Sequence, residues 1–259
     1  ALLGAGLCVL VVSSSWQPAV LAFVTWMLYV CVYTPMKRFS PLNTAVGAIA
    51  GALPVLIGWA AADGPARFML GDSATTLTVA ALGTVLYLWQ FPHFMAIAWL
   101  YRREYANAGL RMLTVDDPSG LRAAAQSMAA ALAMIPVSLL LAVPSGSIRL
   151  FLAAAAVAIV YAGFSFRFAI YRDDQSARGL LLASIGTLLA LLTGMIIFTP
   201  LSLKFRDFSI SFPILTSSTG LSDKEILIVS PMPSKSNVPN PIEDFMLPGI
   251  KPPASVIPK

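Results

Sequence analysis

The sequence predicts an all-α, polytopic membrane helical bundle, and three observations carry that prediction. Hydrophobic residues make up 58% of the chain and charged residues 11%, against roughly 45–50% and 25% in soluble domains. Six apolar runs reach or approach the ~20 residues that a helix needs to cross a bilayer core: residues 17–34, 42–62, 73–100, 123–143, 148–170 and 180–199. The Lys and Arg residues fall into alternate loops. Lys37 and Arg38, then Arg102, Arg103, Arg111 and Arg122, then Arg172 and Arg178 share one side, and the other side offers Arg67 and Arg149. Basic loops mark the cytoplasmic or matrix side of a membrane protein.

Taken in order, a short run at residues 2–12 precedes the six spans. The chain begins inside an apolar stretch, with no initiator methionine and no basic leader, and reads as a cut end. In the second full span, Gly47 and Gly51 stand four apart and offer a face on which another helix can pack closely. The 28 residues of the third would make a helix of ~42 Å against a core of ~30 Å, and Pro92 is the expected break. Pro54 and Pro136 can kink their spans in the same way. From about residue 200 the composition turns to Pro and Ser with mixed charge. That stretch, 200–259, is expected to be a disordered tail beside a membrane domain of residues 1–199.

Several function classes recede. The net charge of +5 is scattered through short loops, which is no nucleic-acid footprint. Cys8 and Cys31 lie in apolar runs and read as small fillers. The chemistry gathers between Trp89 and Gly120, which hold the single histidine, His93, and the cluster Tyr101-Arg102-Arg103-Glu104-Tyr105 with Arg111, Asp116 and Asp117 behind it. Polar groups at membrane depth are costly and usually line a site. His93 could be a buried residue bonded to a neighbouring carbonyl, or a cavity-facing group. On a continuous helix it would share a face with Glu104, ~16 Å away. The charged cluster could be a plain membrane boundary, or an anion and metal site in which guanidinium groups hold phosphate oxygens and a carboxylate holds Mg²⁺. A second basic cluster, Tyr33-Thr34-Pro35-Met36-Lys37-Arg38 leading to Asn43-Thr44, lies at the same membrane face. The two could close around one polyanion.

Those residues carry a resemblance. Tyr-Thr-Pro-Met-Lys-Arg at 33–38, the Asn-Thr-Ala-Val-Gly stretch from Asn43, Trp-Gln-Phe-Pro-His-Phe at 89–94 and Tyr-Arg-Arg-Glu-Tyr from Tyr101 are similar to the UbiA-type intramembrane prenyltransferases. Within them they resemble the haem O synthase (protohaem IX farnesyltransferase) branch. The resemblance covers roughly residues 1–198.

It implies nine helices around a lipid-open cavity, of which this chain holds the C-terminal seven. It also implies transfer of a farnesyl group from farnesyl diphosphate to a vinyl group of protohaem IX (haem B), with Mg²⁺ at the diphosphate. By position, Tyr33, Lys37 and Arg38 match the first polar motif retained here, and Arg102, Glu104 and Tyr105 match the second. Asn43, Tyr101, Arg103 and Arg111 join them as substrate-binding candidates, Glu104 is the metal candidate, and His93 faces the haem side. The family's aspartate-bearing motif would fall before Ala1, so the chain is expected to need those upstream helices for activity. The implied location is a bacterial inner membrane, or the mitochondrial inner membrane in a eukaryote. The alternatives are another aromatic prenyltransferase of this type and a non-catalytic bundle, whether an inactive relative or transporter-like. A transporter would show paired halves with interrupted helices, and none is visible.

Overall fold

The structure, a computed structural model, describes residues 2–198, and every regular element among them is a helix. In chain order these are α1 (Leu2–Ser13), α2 (Trp16–Met27), a π-helical turn (Leu28–Tyr33), α3 (Thr34–Met36), α4 (Asn43–Ala61), α5 (Gly64–Met69), α6 (Ser73–Leu100), α7 (Arg102–Asn107), α8 (Leu113–Asp116), α9 (Leu121–Leu139) with a 3-10 turn (Leu140–Ala142), α10 (Ile148–Tyr171) and α11 (Asp174–Phe198). Six segments are long and apolar enough to cross a membrane: Trp16–Met36, Asn43–Ala61, Ser73–Leu100, Leu121–Ala142, Ile148–Tyr171 and Asp174–Phe198. These are the six spans expected, and α1 is the short seventh. The tail expected from residue 200 lies outside the described residues.

Burial runs opposite to that of a soluble bundle. Ala48, Ala96, Ala98, Ala123, Ala131, Ala158 and Ala177 are fully buried, while Phe166, Leu182, Leu189 and Ile196 stand exposed. Lipid tails solvate large apolar side chains as well as protein does, so helices associate through the close packing that small residues permit. The chain is an integral membrane protein. Helix α6 is its hub, packing against α4, α9 and α11.

The two glycines of α4 lie on a face where neighbours pack closely, Gly51 toward α6 and Gly47 toward the Tyr33 ring. A Cβ on Gly47 would come within 2.7 Å of the Tyr33 ring. One on Gly51 would run into the side chain of Gln90, which α6 sends across to donate from Nε2 to the Ala48 carbonyl at 3.1 Å. Each glycine therefore admits a neighbour's side chain. Gly51→Ala is expected to cost about 1–3 kcal/mol by overpacking. Gly58→Ala, where an added methyl meets nothing within 4 Å, should be neutral or slightly stabilising. Thermal unfolding in detergent compares the two.

Three boundaries differ from the sequence reading. Helix α6 runs unbroken through Pro92, which is fully buried. The missing N–H costs about 3 kcal/mol in a helix interior, and packing against three long helices offsets it. The break falls instead at Tyr101, with φ −106° and ψ 23°. His93 and Glu104 therefore do not share one continuous helix, and the ~16 Å rise between them does not hold. Helix α11 begins at Asp174, not near residue 180, because Asp173 and Ser176 cap it reciprocally. Asp173 Oδ1 accepts from the Ser176 N–H at 2.7 Å, and Ser176 Oγ accepts from the Asp173 N–H at 3.3 Å, a capping-box arrangement. Arg178, read as a loop residue, sits inside that helix.

The basic loops meet at one end of the bundle. The Arg111 N–H donates to the Lys37 carbonyl at 2.7 Å, Asn43 Nδ2 donates to the Arg111 carbonyl at 3.1 Å, and Arg102 pairs with Asp174 at 2.9 Å. Single cysteines placed at 37, 104 and 178, in a chain freed of Cys8 and Cys31, should label from one side of the membrane. Cysteines at 67 and 149 should label from the other. Labelling of 37 and 67 from the same side contradicts this topology.

Candidate active site

Pro35 shapes the first wall of the site. Its nitrogen has no proton to give, and its ring would press on the carbonyl of Cys31 in a regular α-turn. The chain widens into the π-helical turn Leu28–Tyr33 just before it. The Thr34 N–H and Oγ1 both reach the Tyr29 carbonyl, five residues back. Such insertions in helices gather at functional sites. Here the turn carries Tyr29 and Tyr33, with ring centroids 5.0 Å apart, on the way to Lys37. The Lys37 ammonium lies 4.3 Å from the centroid of the Tyr33 ring, a cation–π contact worth about 0.5–2 kcal/mol.

These groups line a cavity of about 270 Å³. Tyr29, Tyr33 and Lys37 form one wall, Phe94 and Ile97 of α6 another, and Thr44, Tyr105 and Met112 complete it. Tyr33 and Lys37 thus share one space with Tyr105 of the second polar segment; Tyr101, Arg102, Arg103 and Glu104 are not among its lining residues. Burial, then the neighbouring Tyr33 and Tyr101 phenols, pushes the Tyr105 hydroxyl above the usual tyrosine range. It therefore keeps its proton and its capacity to donate through neutral and mildly basic pH. A groove of about 320 Å³ between α10 and α11 is larger, but Thr187 is the one polar side chain among the residues lining it. It offers nothing to an anion.

The other expected residues take separate places. Arg38 and Tyr101 are exposed where their helices end, and Arg103 and Glu104 are exposed on α7. Asn43 is fully buried and structural, holding the Ser40 carbonyl at 2.7 Å and that of Arg111 at 3.1 Å. Arg111 pairs with Asp116 at 3.0 Å and also reaches the Phe39 carbonyl at 3.4 Å, so it braces the loop behind Lys37. Arg102 turns toward α11: it donates to the Trp99 carbonyl at 2.6 Å and to Asp174 at 2.9 Å, and it lies over the Trp99 ring at 4.5 Å. His93 is not among the residues lining the cavity. Its ring stacks on Trp89 at 4.7 Å, and its Nδ1 lies 2.8 Å from Ser184 Oγ on α11.

Sequence reasoning missed Tyr29 and Met112 in the cavity and Ser184 as the partner of His93. Tyr29 had a usable signal, since it precedes Tyr33 by four residues as Tyr33 precedes Lys37. A lone serine in an apolar run, like Ser184, has none.

Residues 1–188 match the UbiA prenyltransferase family. The chain belongs to that family. Among curated relatives it is similar to the protoheme IX farnesyltransferase of Rhodopirellula baltica, with 41% identity over 201 residues, covering 74% of this chain and 67% of the relative. The mitochondrial protoheme IX farnesyltransferase of Arabidopsis thaliana is 43% identical over 132 residues (51% and 28%), and that of Homo sapiens is 35% identical over 193 residues (74% and 41%). The chain thus spans about two thirds of the Rhodopirellula protein and between 28% and 58% of the next four relatives. No solved structure matches it.

A prenyltransferase of this family raises the question of a metal. Among the described residues no three His, Cys, Asp or Glu side chains stand together as a ligand set. Glu104 is one exposed carboxylate, and Asp116 is engaged by Arg111. The described residues therefore do not compose a metal centre of their own.

Proposed function

We propose that this UbiA-family chain carries the diphosphate-binding part of a protohaem IX farnesyltransferase, which moves a farnesyl group from farnesyl diphosphate to a vinyl group of protohaem IX. The observation that carries this reading is the cavity joining Tyr33 and Lys37 to Tyr105. One cation, three phenols (Tyr29, Tyr33 and Tyr105) and the Thr44 hydroxyl surround a space closed elsewhere by Phe94, Ile97 and Met112. Whole small-molecule sites usually run to ~300–1,000 Å³. A cavity of about 270 Å³ suits the head group and leaves the farnesyl tail to the lipid-facing side.

In this reading Lys37 neutralises charge that builds on the diphosphate as its carbon–oxygen bond breaks and both electrons leave with it. The Tyr33 and Tyr105 hydroxyls donate to the same oxygens. The rings of Tyr29 and Phe94 present electron-rich faces to the allylic cation. The π electrons of the haem vinyl group then form the new carbon–carbon bond, and the resulting cation takes up water and loses a proton to leave a hydroxyethyl group. Arg38 and Arg103, both exposed, draw the anion in from solution. Mg²⁺ carried in on the diphosphate, with Glu104 as its carboxylate on the protein, belongs to the same proposal. So does a bacterial or mitochondrial inner membrane, with the cavity opening on the cytoplasmic or matrix side.

The acceptor is the part most open to test. Purified chain in lipid nanodiscs should bind protohaem with a change in its Soret absorbance, and an excess of a hydroxybenzoate, the acceptor type of quinone-making relatives, should not displace it. Displacement by the hydroxybenzoate would favour another branch of the family.

A further inference from the structure

The groove between α10 and α11 carries no charge of its own, but one of its walls leads to a charge. Val157, Val160 and Phe164 line it from α10. The same steps of three and four residues continue to Arg167 and Tyr171, so all five share one helix face. On α11, Ala183, Gly186 and Ala190 form the other wall, and Val160, Gly186 and Ala190 are exposed, which leaves the groove open to lipid. Arg167 and Tyr171 are exposed as well. Nearby arginines are engaged: Arg102 pairs with Asp174 at 2.9 Å, and Arg172 donates to the Ala169 carbonyl at 2.7 Å. Arg167 has no ion pair or hydrogen bond among the described residues. Asp173 feels its charge, but the Asp173 Oδ1 is taken by the Ser176 N–H at 2.7 Å.

We propose that this groove holds one acyl chain of an anionic phospholipid, whose phosphate is bound by Arg167 with the Tyr171 hydroxyl beside it. Arginine suits that partner, because its planar fork donates two parallel hydrogen bonds to phosphate oxygens. The dimensions agree. Ala156, at the far end of the groove, lies ~16 Å below Arg167 by helix rise, and one leaflet of a ~30 Å hydrocarbon core is ~15 Å deep. The groove thus runs from headgroup level to the middle of the bilayer, as a single acyl chain does. A helix from a second copy would cross both leaflets and would need a face about twice as long. The α10–α11 turn also lies on the side of the basic loops, where anionic headgroups attract cationic side chains. Arg178 supplies an internal control. It sits four residues into α11, as Arg167 sits four residues from the end of α10, and it is exposed too. It lies roughly 130° round its helix from the groove. The site is separate from the cavity at Lys37 and stands whichever reaction that cavity serves.

Native mass spectrometry of the full chain, released from bilayers of mixed phosphatidylglycerol and phosphatidylcholine, tests this. The wild type should retain one lipid, phosphatidylglycerol in preference to phosphatidylcholine. Arg167→Gln should weaken that preference about fivefold, the effect of one basic side chain near an anionic headgroup, while Arg178→Gln should leave it unchanged. Gly186→Leu, at a position where a Cβ meets nothing within 4 Å, and Ala190→Leu should each fill the groove and lose the retained lipid, with thermal unfolding near that of the wild type. Lipid retained by both folded leucine variants, or no lipid retained by the wild type, overturns the groove as the site. No change in Arg167→Gln, or as large a change in Arg178→Gln, overturns the headgroup contact. Wild-type dimers that both leucine variants dissociate would assign the groove to a second copy instead and overturn the lipid.

Discussion

Lys37→Met is expected to weaken farnesyl diphosphate binding about tenfold to 150-fold, with little change in thermal stability. The substitution keeps a long apolar stem over the Tyr33 ring and removes the one cation that lines the cavity. A hydrogen bond to a charged partner contributes about 1.5–3 kcal/mol, which sets that range. The mutation should cost little in the folded state, because the ammonium rests on an aromatic face and its cation–π contact is worth at most about 2 kcal/mol. Lys37→Arg should recover part of the loss, since charge returns but the bulkier planar group sits differently against Tyr33. Calorimetric titration of each variant with farnesyl diphosphate, alongside its unfolding curve, separates lost binding from lost fold.

The largest effect on stability is expected at Gly120. Its φ is +73°, and an added Cβ would collide with the Trp99 ring. An alanine held in the left-handed region costs about 1–2 kcal/mol, and overpacking adds about 1–3 kcal/mol. Gly109 is the matched control, at φ +67° with open space around it, so Gly109→Ala should show the first cost only. Trp99 is also the platform beneath Arg102 and packs edge-on to Phe168 at 5.9 Å. Displacing it loosens the corner where α6, α10 and α11 meet. Thermal unfolding should rank Gly120→Ala well below Gly109→Ala, and adding Trp99→Phe should recover part of the difference by shortening the ring that collides.

Much of this fold is legible in the sequence because bilayer thickness fixes helix length. The six spans follow from apolar runs and the orientation from the basic loops. The misplaced details share a cause: each depends on a partner far away in the chain. Pro92 leaves its helix intact because three long helices hold it. Gly47 and Gly51 are matched to Tyr33 and Gln90, whose positions no local pattern reveals. Helix α11 starts early because Asp173 and Ser176 cap it, while the charge at Arg178 suggests a loop. In the site, Tyr33, Lys37 and Tyr105 line one cavity. Arg102 shares a motif with Tyr105 yet faces the other way, because the turn at Tyr101 starts a new helix. Ser184 becomes visible only when α11 packs against α6.

Farnesyl diphosphate affinity separates the residues that line the cavity from those that brace its loops. The measurement is the dissociation constant of the wild type, Lys37→Met, Tyr105→Phe and Arg102→Ala under one set of conditions, each variant first shown to be folded. Lys37→Met should lose most, Tyr105→Phe should lose several-fold, and Arg102→Ala, whose side chain is engaged by Trp99 and Asp174, should bind within about twofold of wild type. Full affinity in Lys37→Met, or a loss in folded Arg102→Ala as large as that of Lys37→Met, would contradict that separation.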